Sequence, residues 1–196
     1  MPQLFRRKNI RLPVPNYQGP HLCFATLCFN HRAPLASDPA VADWLISTLR
    51  ECALRKSFLV HAYCVMADHL HFLTEGTNPA MNVISLVRSF KQTTGYLFSQ
   101  RQRQHLWQEK WSDHLLRNNE SVEAVCWYIW LNPGRKRICT RPSEYPFLGS
   151  FSNFASRLDS PSVSTCQFRL KIPLCTGWKF PTPELHEWAS LASDGV

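Results

Sequence analysis

The chain alternates between apolar runs of two different periods. His21 to Asn30 (HLCFATLCFN) is apolar and β-prone and reads as a buried strand. Asp38 then offers an N-cap with Pro39 at the first helical position. Val41, Trp44, Leu45, Thr48, Leu49 and Cys52 recur behind it at helical spacing, which predicts an amphipathic helix. Phe58 to Met66 (FLVHAYCVM) is nearly continuous in β-branched and aromatic residues and predicts a central strand. Leu70 to Thr74 predicts another after Ala67-Asp68, so the two pair as a hairpin. From Met81 to Gln100 a stripe of Val83, Leu86, Val87, Phe90, Thr94, Leu97 and Phe98 predicts a second helix, whose outer face carries Arg88, Lys91 and Gln92. Leu106 to Leu116, with Trp107, Trp111 and Leu115, predicts a strand or bent hairpin. Asn118-Asn119 caps a third helix from Glu120 to Leu131, which stops at Asn132 because Pro133 disfavours helical geometry in the residue before it.

In order these elements read β-α-β-β-α-β-α. That is the split βαβ arrangement of an α+β, ferredoxin-like fold: an antiparallel sheet with helices on one face, plus an added C-terminal helix. The other face of such a sheet is expected to be free for a ligand. The chain shows no internal repeat and no low-complexity run.

A length of 196 residues bounds the chain to one domain with a tail, or at most two small ones. The longest nearly apolar stretch, Leu22 to Phe29, is far short of the ~20 residues of a membrane-spanning helix. Arg6, Arg7, Lys8 and Arg11 are followed by prolines rather than an apolar segment, so no secretion signal is read and a cytoplasmic location is expected. Eight cysteines, at 23, 28, 52, 64, 126, 139, 166 and 175, show no C-x2-C spacing and read as reduced, mostly buried side chains.

Charge changes the picture. The net charge of +8 points to a polyanionic partner, nucleic acid before an anionic membrane surface. Between Leu86 and Arg141 ten basic residues face four acidic ones. After Arg141 four face five, and six prolines break the periodicity. The expected organisation is a basic arm over 1–19, a domain over 20–150 and an irregular Pro-rich tail over 151–196.

Two constellations carry chemistry. His69 and His71 stand two apart on a predicted strand, so both imidazoles project from one face and can converge on one ion. Taken alone such a pair is an ordinary feature of a solvated strand. Here it follows Asp68 inside an otherwise apolar run, where unpartnered histidines are costly. Tyr128 and Asn132, four apart, share one side of the third helix, with Tyr128 at the edge of the stripe formed by Val122, Val125 and Ile129. Each has a bland reading as a packed or capping residue. Jointly, two imidazoles, an amide oxygen and a tyrosine hydroxyl make a metal site beside a nucleophile.

The run Val65-Met66-Ala67-Asp68-His69-Leu70-His71, with Ser89-Phe90-Lys91, Leu106-Trp107-Gln108, Asp113-His114, Arg117 and Tyr128-Ile129-Trp130-Leu131-Asn132-Pro133, resembles the single-tyrosine HUH transposases, most closely the REP-associated tyrosine transposases. The resemblance spans roughly residues 20 to 150, and Tyr145-Pro146-Phe147 looks like that family's end of domain. It implies a metal-dependent single-stranded DNA endonuclease and strand transferase acting on hairpin-containing DNA. His69, His71 and Asn132 match the ligands of a divalent ion, Mg²⁺ or Mn²⁺, and Tyr128 matches a nucleophile that forms a 5′-phosphotyrosine. A monomer is implied rather than a dimer. Ala67 stands where the family usually has proline, and Gly134-Arg135-Lys136-Arg137 replaces the usual hydrophobic and small residues.

Ligand chemistry alone points elsewhere, since imidazoles favour Mn²⁺ or Zn²⁺ over Mg²⁺. A tyrosine hydroxyl with a reference pKa of about 10 also needs help to lose its proton, and His114 or Lys91 is expected to give it. Arg88, Lys91, Arg101, Arg103, Arg117, Arg135, Lys136 and Arg137 are candidate phosphate contacts. One or two of Trp107, Trp111, Trp127 and Trp130 are candidate stacking platforms for unpaired bases. The rival reading is a catalytically silent binder of folded single-stranded nucleic acid, which has no need of Tyr128, His69 and His71 together.

Overall fold

A computed structural model describes residues 13–153. Five strands form one antiparallel sheet: β1 (Leu22–Cys28), β2 (Phe58–Met66), β3 (His69–Gly76), β4 (Ser112–Leu115) and β5 (Leu148–Gly149), in the order β4-β1-β3-β2-β5. The helices are α1 (Pro39–Arg55), α2 (Val83–Gln102), α3 (Val122–Trp130) and α4 (Asn132–Arg135). The expected split βαβ order is present, with β3 as the central strand.

Local chemistry sets the element ends. The Asp38 carboxylate accepts the amide of Ala40 to start α1, and Asn82 accepts from Ile84 to start α2. The third helix starts later than expected. Its cap is Ser121, whose hydroxyl accepts from Ala124, whereas Glu120 turns its carboxylate back to the amide of Arg117. Pro133 does not end helical structure either. Proline fits the first turn of a helix, where its missing N–H is not needed, so the chain breaks after Trp130 and resumes as α4.

Strand alternation divides the side chains between two cores. Leu27, Phe72 and Val65 point to one face, where they pack with Leu45 and Leu49 of α1 and Leu86 and Phe90 of α2. Phe24, Ala62, Cys64 and Leu73 point to the other, against Val125, Ile129 and Trp130 of α3. The sequence pattern had left the second face free for a ligand, and the structure corrects this. The added helix covers part of it, which is why β2 and β3 are buried on both sides and read as continuous apolar runs.

The short strand β5 was not foreseen. It pairs with the outer edge of β2, and its Gly149 carbonyl accepts the Trp130 indole N–H at 2.9 Å, tying α3 to the sheet. A Cβ at Gly149 would stand 2.7 Å from the Tyr63 hydroxyl, so glycine is required there. The 106–116 segment is bent, with a bridge between Trp107 and Phe29 followed by β4. Leu97, expected in the α2 stripe, is 41% exposed, whereas Phe98 beside it is buried in the first core. Among the described residues six cysteines are unbonded, five of them buried. The basic arm through Arg11 and the tail after residue 153 lie outside the described residues.

Candidate metal centre and tyrosine

The register of the sheet assembles the site. Thr26 of β1 is opposite His71 and Cys28 opposite His69, so one face of β3 carries both imidazoles at the end nearest the Ala67-Asp68 turn. Their Nε2 atoms lie 2.9 Å apart, and both residues are buried.

Each Nδ1 is held from behind. His69 Nδ1 is 2.5 Å from Asp68 Oδ1, and His71 Nδ1 is 2.8 Å from Thr26 Oγ1. Arg32 donates to the other Asp68 oxygen at 3.1 Å. Burial works to raise the Asp68 pKa. The hydrogen bond and charge of His69, with Arg32, outweigh it and hold the carboxyl at about 2. An ionised carboxylate only accepts, so it fixes the His69 proton on Nδ1 and turns the Nε2 lone pair toward His71. Burial pushes the His71 pKa well below that of an ordinary imidazole, with the charges of His69, Arg135 and Arg32 adding to the effect. A neutral imidazole is the form that ligates a metal.

Tyr128 lies half-buried on α3 at the edge of the second core, as the helical spacing predicted. The Phe24 ring links it to the histidines, stacking on His71 at 5.4 Å and meeting Tyr128 edge-on at 5.8 Å. Asn132 opens α4 and is buried, and its Nδ2 has no hydrogen-bond partner. Leaving a buried amide unpaired costs about 1–3 kcal/mol. The orphaned atom is an N–H donor and would not itself ligate a cation, whereas the two converging Nε2 atoms are a donor pair suited to one. Among the described residues no group of three His, Cys, Asp or Glu side chains forms a metal cluster.

The candidate DNA contacts separate into two groups. Arg88, Arg101 and Arg103 are exposed on or just after α2, across the sheet from the histidines and Tyr128. Arg117, Lys136 and Arg137 are exposed next to α3 and α4. Lys91 differs from both, since its ammonium donates to the carbonyls of Gln108 at 2.7 Å and Glu109 at 2.9 Å and so braces the 106–110 loop. Arg135 is half-buried and turned onto Tyr128. Its Cζ stands 4.1 Å from the Tyr128 ring centroid and its Nη2 donates to the Tyr128 carbonyl at 2.8 Å.

His114, a residue expected to assist Tyr128, has its Nε2 2.9 Å from each oxygen of the Glu120 carboxylate. Trp107 and Trp130 are buried, with their N–H groups donating to Thr94 and Gly149, so neither is a platform for bases. Trp111 and Trp127 are half-buried. Thr26, Phe24 and Arg32 carried no sequence signal, because only the strand register and the β1–α1 turn bring them to the histidines.

A family model for IS200-like transposases matches residues 21–131. No curated protein sequence matches the chain. Among solved structures the fold is similar to that of a REP-associated tyrosine transposase bound to a REP hairpin, at 20% identity and a TM-score of 0.61, covering 72% of this chain and 82% of that one. A candidate transposase from Deinococcus radiodurans R1 is 18% identical over 64% of this chain and 95% of its own, with a TM-score of 0.45, too loose a likeness to bear on the fold.

Proposed function

The chain belongs to the family of IS200-like transposases, and from that premise we propose that it is a divalent-metal-dependent strand transferase that cuts and rejoins hairpin-bearing single-stranded DNA through Tyr128. The observation that carries the reading is the convergence of the His69 and His71 Nε2 atoms on the sheet face that also holds Tyr128. The solved transposase of similar fold was bound to a REP hairpin, and we assign the same class of substrate here.

His69, His71 and Asn132 are the residues that would hold the cation. When bound, it would polarise an oxygen of the scissile phosphodiester. The Tyr128 hydroxyl attacks phosphorus and gives up its proton. A bond from Oη to phosphorus forms, the bond from phosphorus to the 3′ oxygen breaks, and that oxygen takes up a proton. The product is a 5′-phosphotyrosine with a free 3′-hydroxyl, and attack by another 3′-hydroxyl reverses the step and joins strands. The bond energy is retained in the phosphotyrosine, so no nucleotide cofactor is needed. Because α3 packs on its own sheet, one chain supplies all the named groups, and we assign a monomer.

The test is incubation with Mn²⁺ or Mg²⁺ and labelled hairpin oligonucleotides from DNA flanking the gene, followed by denaturing electrophoresis. A denaturation-resistant adduct that Tyr128→Phe and His71→Ala both abolish is expected. Tight hairpin binding by folded protein, with no adduct under either metal, would replace this reading with that of a silent binder.

A further inference from the structure

The placement of Arg135 is explained neither by exposure at the surface nor by a fold-stabilising ion pair among the described residues. Pro133 allows α4 to begin, and one turn later the chain delivers Arg135 back onto the helix it has just left. Its amide bonds the Leu131 carbonyl at 3.0 Å, its Nη2 bonds the Tyr128 carbonyl, and the guanidinium lies over the Tyr128 ring. The cation is thus held against the nucleophile itself, by its ring and by its backbone carbonyl.

What this cation lacks is an anion. Arg32, Arg55 and Arg141 each pair with a carboxylate, whereas Arg135, which is less exposed than any of them, makes no ion pair among the described residues. The Tyr128 carbonyl engages one of its five N–H donors, a task that a neutral donor would perform. A guanidinium held out of water beside a nucleophile, without a carboxylate, is suited to an anion that arrives with the substrate.

We propose that Arg135 binds the scissile phosphate, donating to a non-bridging oxygen of the phosphodiester that Tyr128 attacks and keeping that contact in the phosphotyrosine. The fork of the guanidinium matches two oxygens of one phosphate, and its stacking on the tyrosine ring fixes the direction from which the phosphate meets Oη. Arg135 transfers no proton and forms no covalent bond. The assignment rests on the strand-transfer reading, and it adds to that reading the residue that places the phosphate.

The experiment first maps the cut from the 3′ end released by the wild-type protein. Absence of any wild-type adduct overturns the strand-transfer reading and this role with it. Given an adduct, Arg135→Ala is expected to slow its formation by about 10²- to 10³-fold, as loss of a donor to a developing oxyanion does, with Arg135→Lys restoring part of the rate. A purely structural role would also slow the reaction, so binding is measured in the inactive Tyr128→Phe protein with the scissile phosphate intact or replaced by an uncharged methylphosphonate. The replacement is expected to weaken Tyr128→Phe by about tenfold and to leave Tyr128→Phe/Arg135→Gln nearly unaffected, the signature of a lost pairwise contact. Equal sensitivity in the two proteins overturns the proposal. So does an Arg135→Ala adduct rate within about threefold of wild type.

Discussion

The Nε2 atoms of His69 and His71 face each other at 2.9 Å because Asp68 and Thr26 hold the rings from behind. With the His69 proton on Nδ1, the contact requires His71 to donate from Nε2 and to accept the Thr26 hydroxyl at Nδ1. A cation between the rings needs the other His71 tautomer, in which Nδ1 donates to the same hydroxyl. Thr26 serves both states because a hydroxyl both donates and accepts. His69→Ala and His71→Ala should each weaken Mn²⁺ binding by about 100-fold or more while the fold persists. Titration calorimetry checks this, and undiminished Mn²⁺ affinity in either variant would remove the histidines from the metal site.

Thr26→Val tests the support of the ring apart from the ligand itself. Valine matches the shape of threonine in a strand but has no group for His71 Nδ1, so the tautomer and ring orientation are released. Mn²⁺ affinity should fall by about 10- to 100-fold with near-native circular dichroism. An unchanged affinity would show that burial alone orients His71.

Salt dependence separates the two groups of basic residues. Arg117, Lys136 and Arg137 lie beside α3 and α4, and Arg88, Arg101 and Arg103 lie across the sheet. For single strands log K falls with log salt by about 0.7 per neutralised phosphate, so replacing the first three by alanine should flatten the slope by about 2. Replacing the α2 group should leave the slope unchanged. Lys91→Met should act on stability, lowering it by about 1–2 kcal/mol through loss of two carbonyl contacts. Fluorescence anisotropy over a salt series, with thermal melts, reads both, and a flattened slope from the α2 group would place DNA on the opposite face.

Much of this arrangement was legible in the chain, and what was missed has physical causes. Asp38-Pro39 declares the start of α1, and the two-residue spacing of His69 and His71 declares a shared face, because capping and strand alternation are local. The period of α3 shows that one side is buried but not which face of the sheet buries it, so its cover over β2 and β3 was not foreseen. Pro133 reads as a stop from the residue before it and as a good first-turn residue from those after it. The structure takes the second course, and that turns Arg135 from a surface charge into a neighbour of Tyr128. The pairing of Thr26 with His71 joins positions 45 residues apart, beyond any local pattern. A two-residue strand such as β5 has no period to detect.

Tyr145 gives the segment that closes the sheet a pH signature. Its hydroxyl donates to the Val65 carbonyl at 2.8 Å, and its ring meets Phe147 edge-on at 5.7 Å, anchoring the chain just before β5. Burial pushes its pKa up to about 12, with Cys64 and Cys139 contributing. The pKa is higher in the folded than in the unfolded chain, so the folded state holds the proton more tightly. The stability gained from this is fully present below about pH 10, the unfolded value, and is lost as the pH rises through about 12. Tyr145→Phe removes the hydrogen bond and the titration together. It should cost about 1 kcal/mol near neutrality and narrow its deficit relative to wild type above pH 10. Denaturant unfolding of both proteins between pH 8 and pH 11.5 gives the difference, which cancels the lysine and arginine titrations they share. A deficit that stays constant over that range would show that the Tyr145 hydroxyl is as free to ionise in the folded protein as in the unfolded chain.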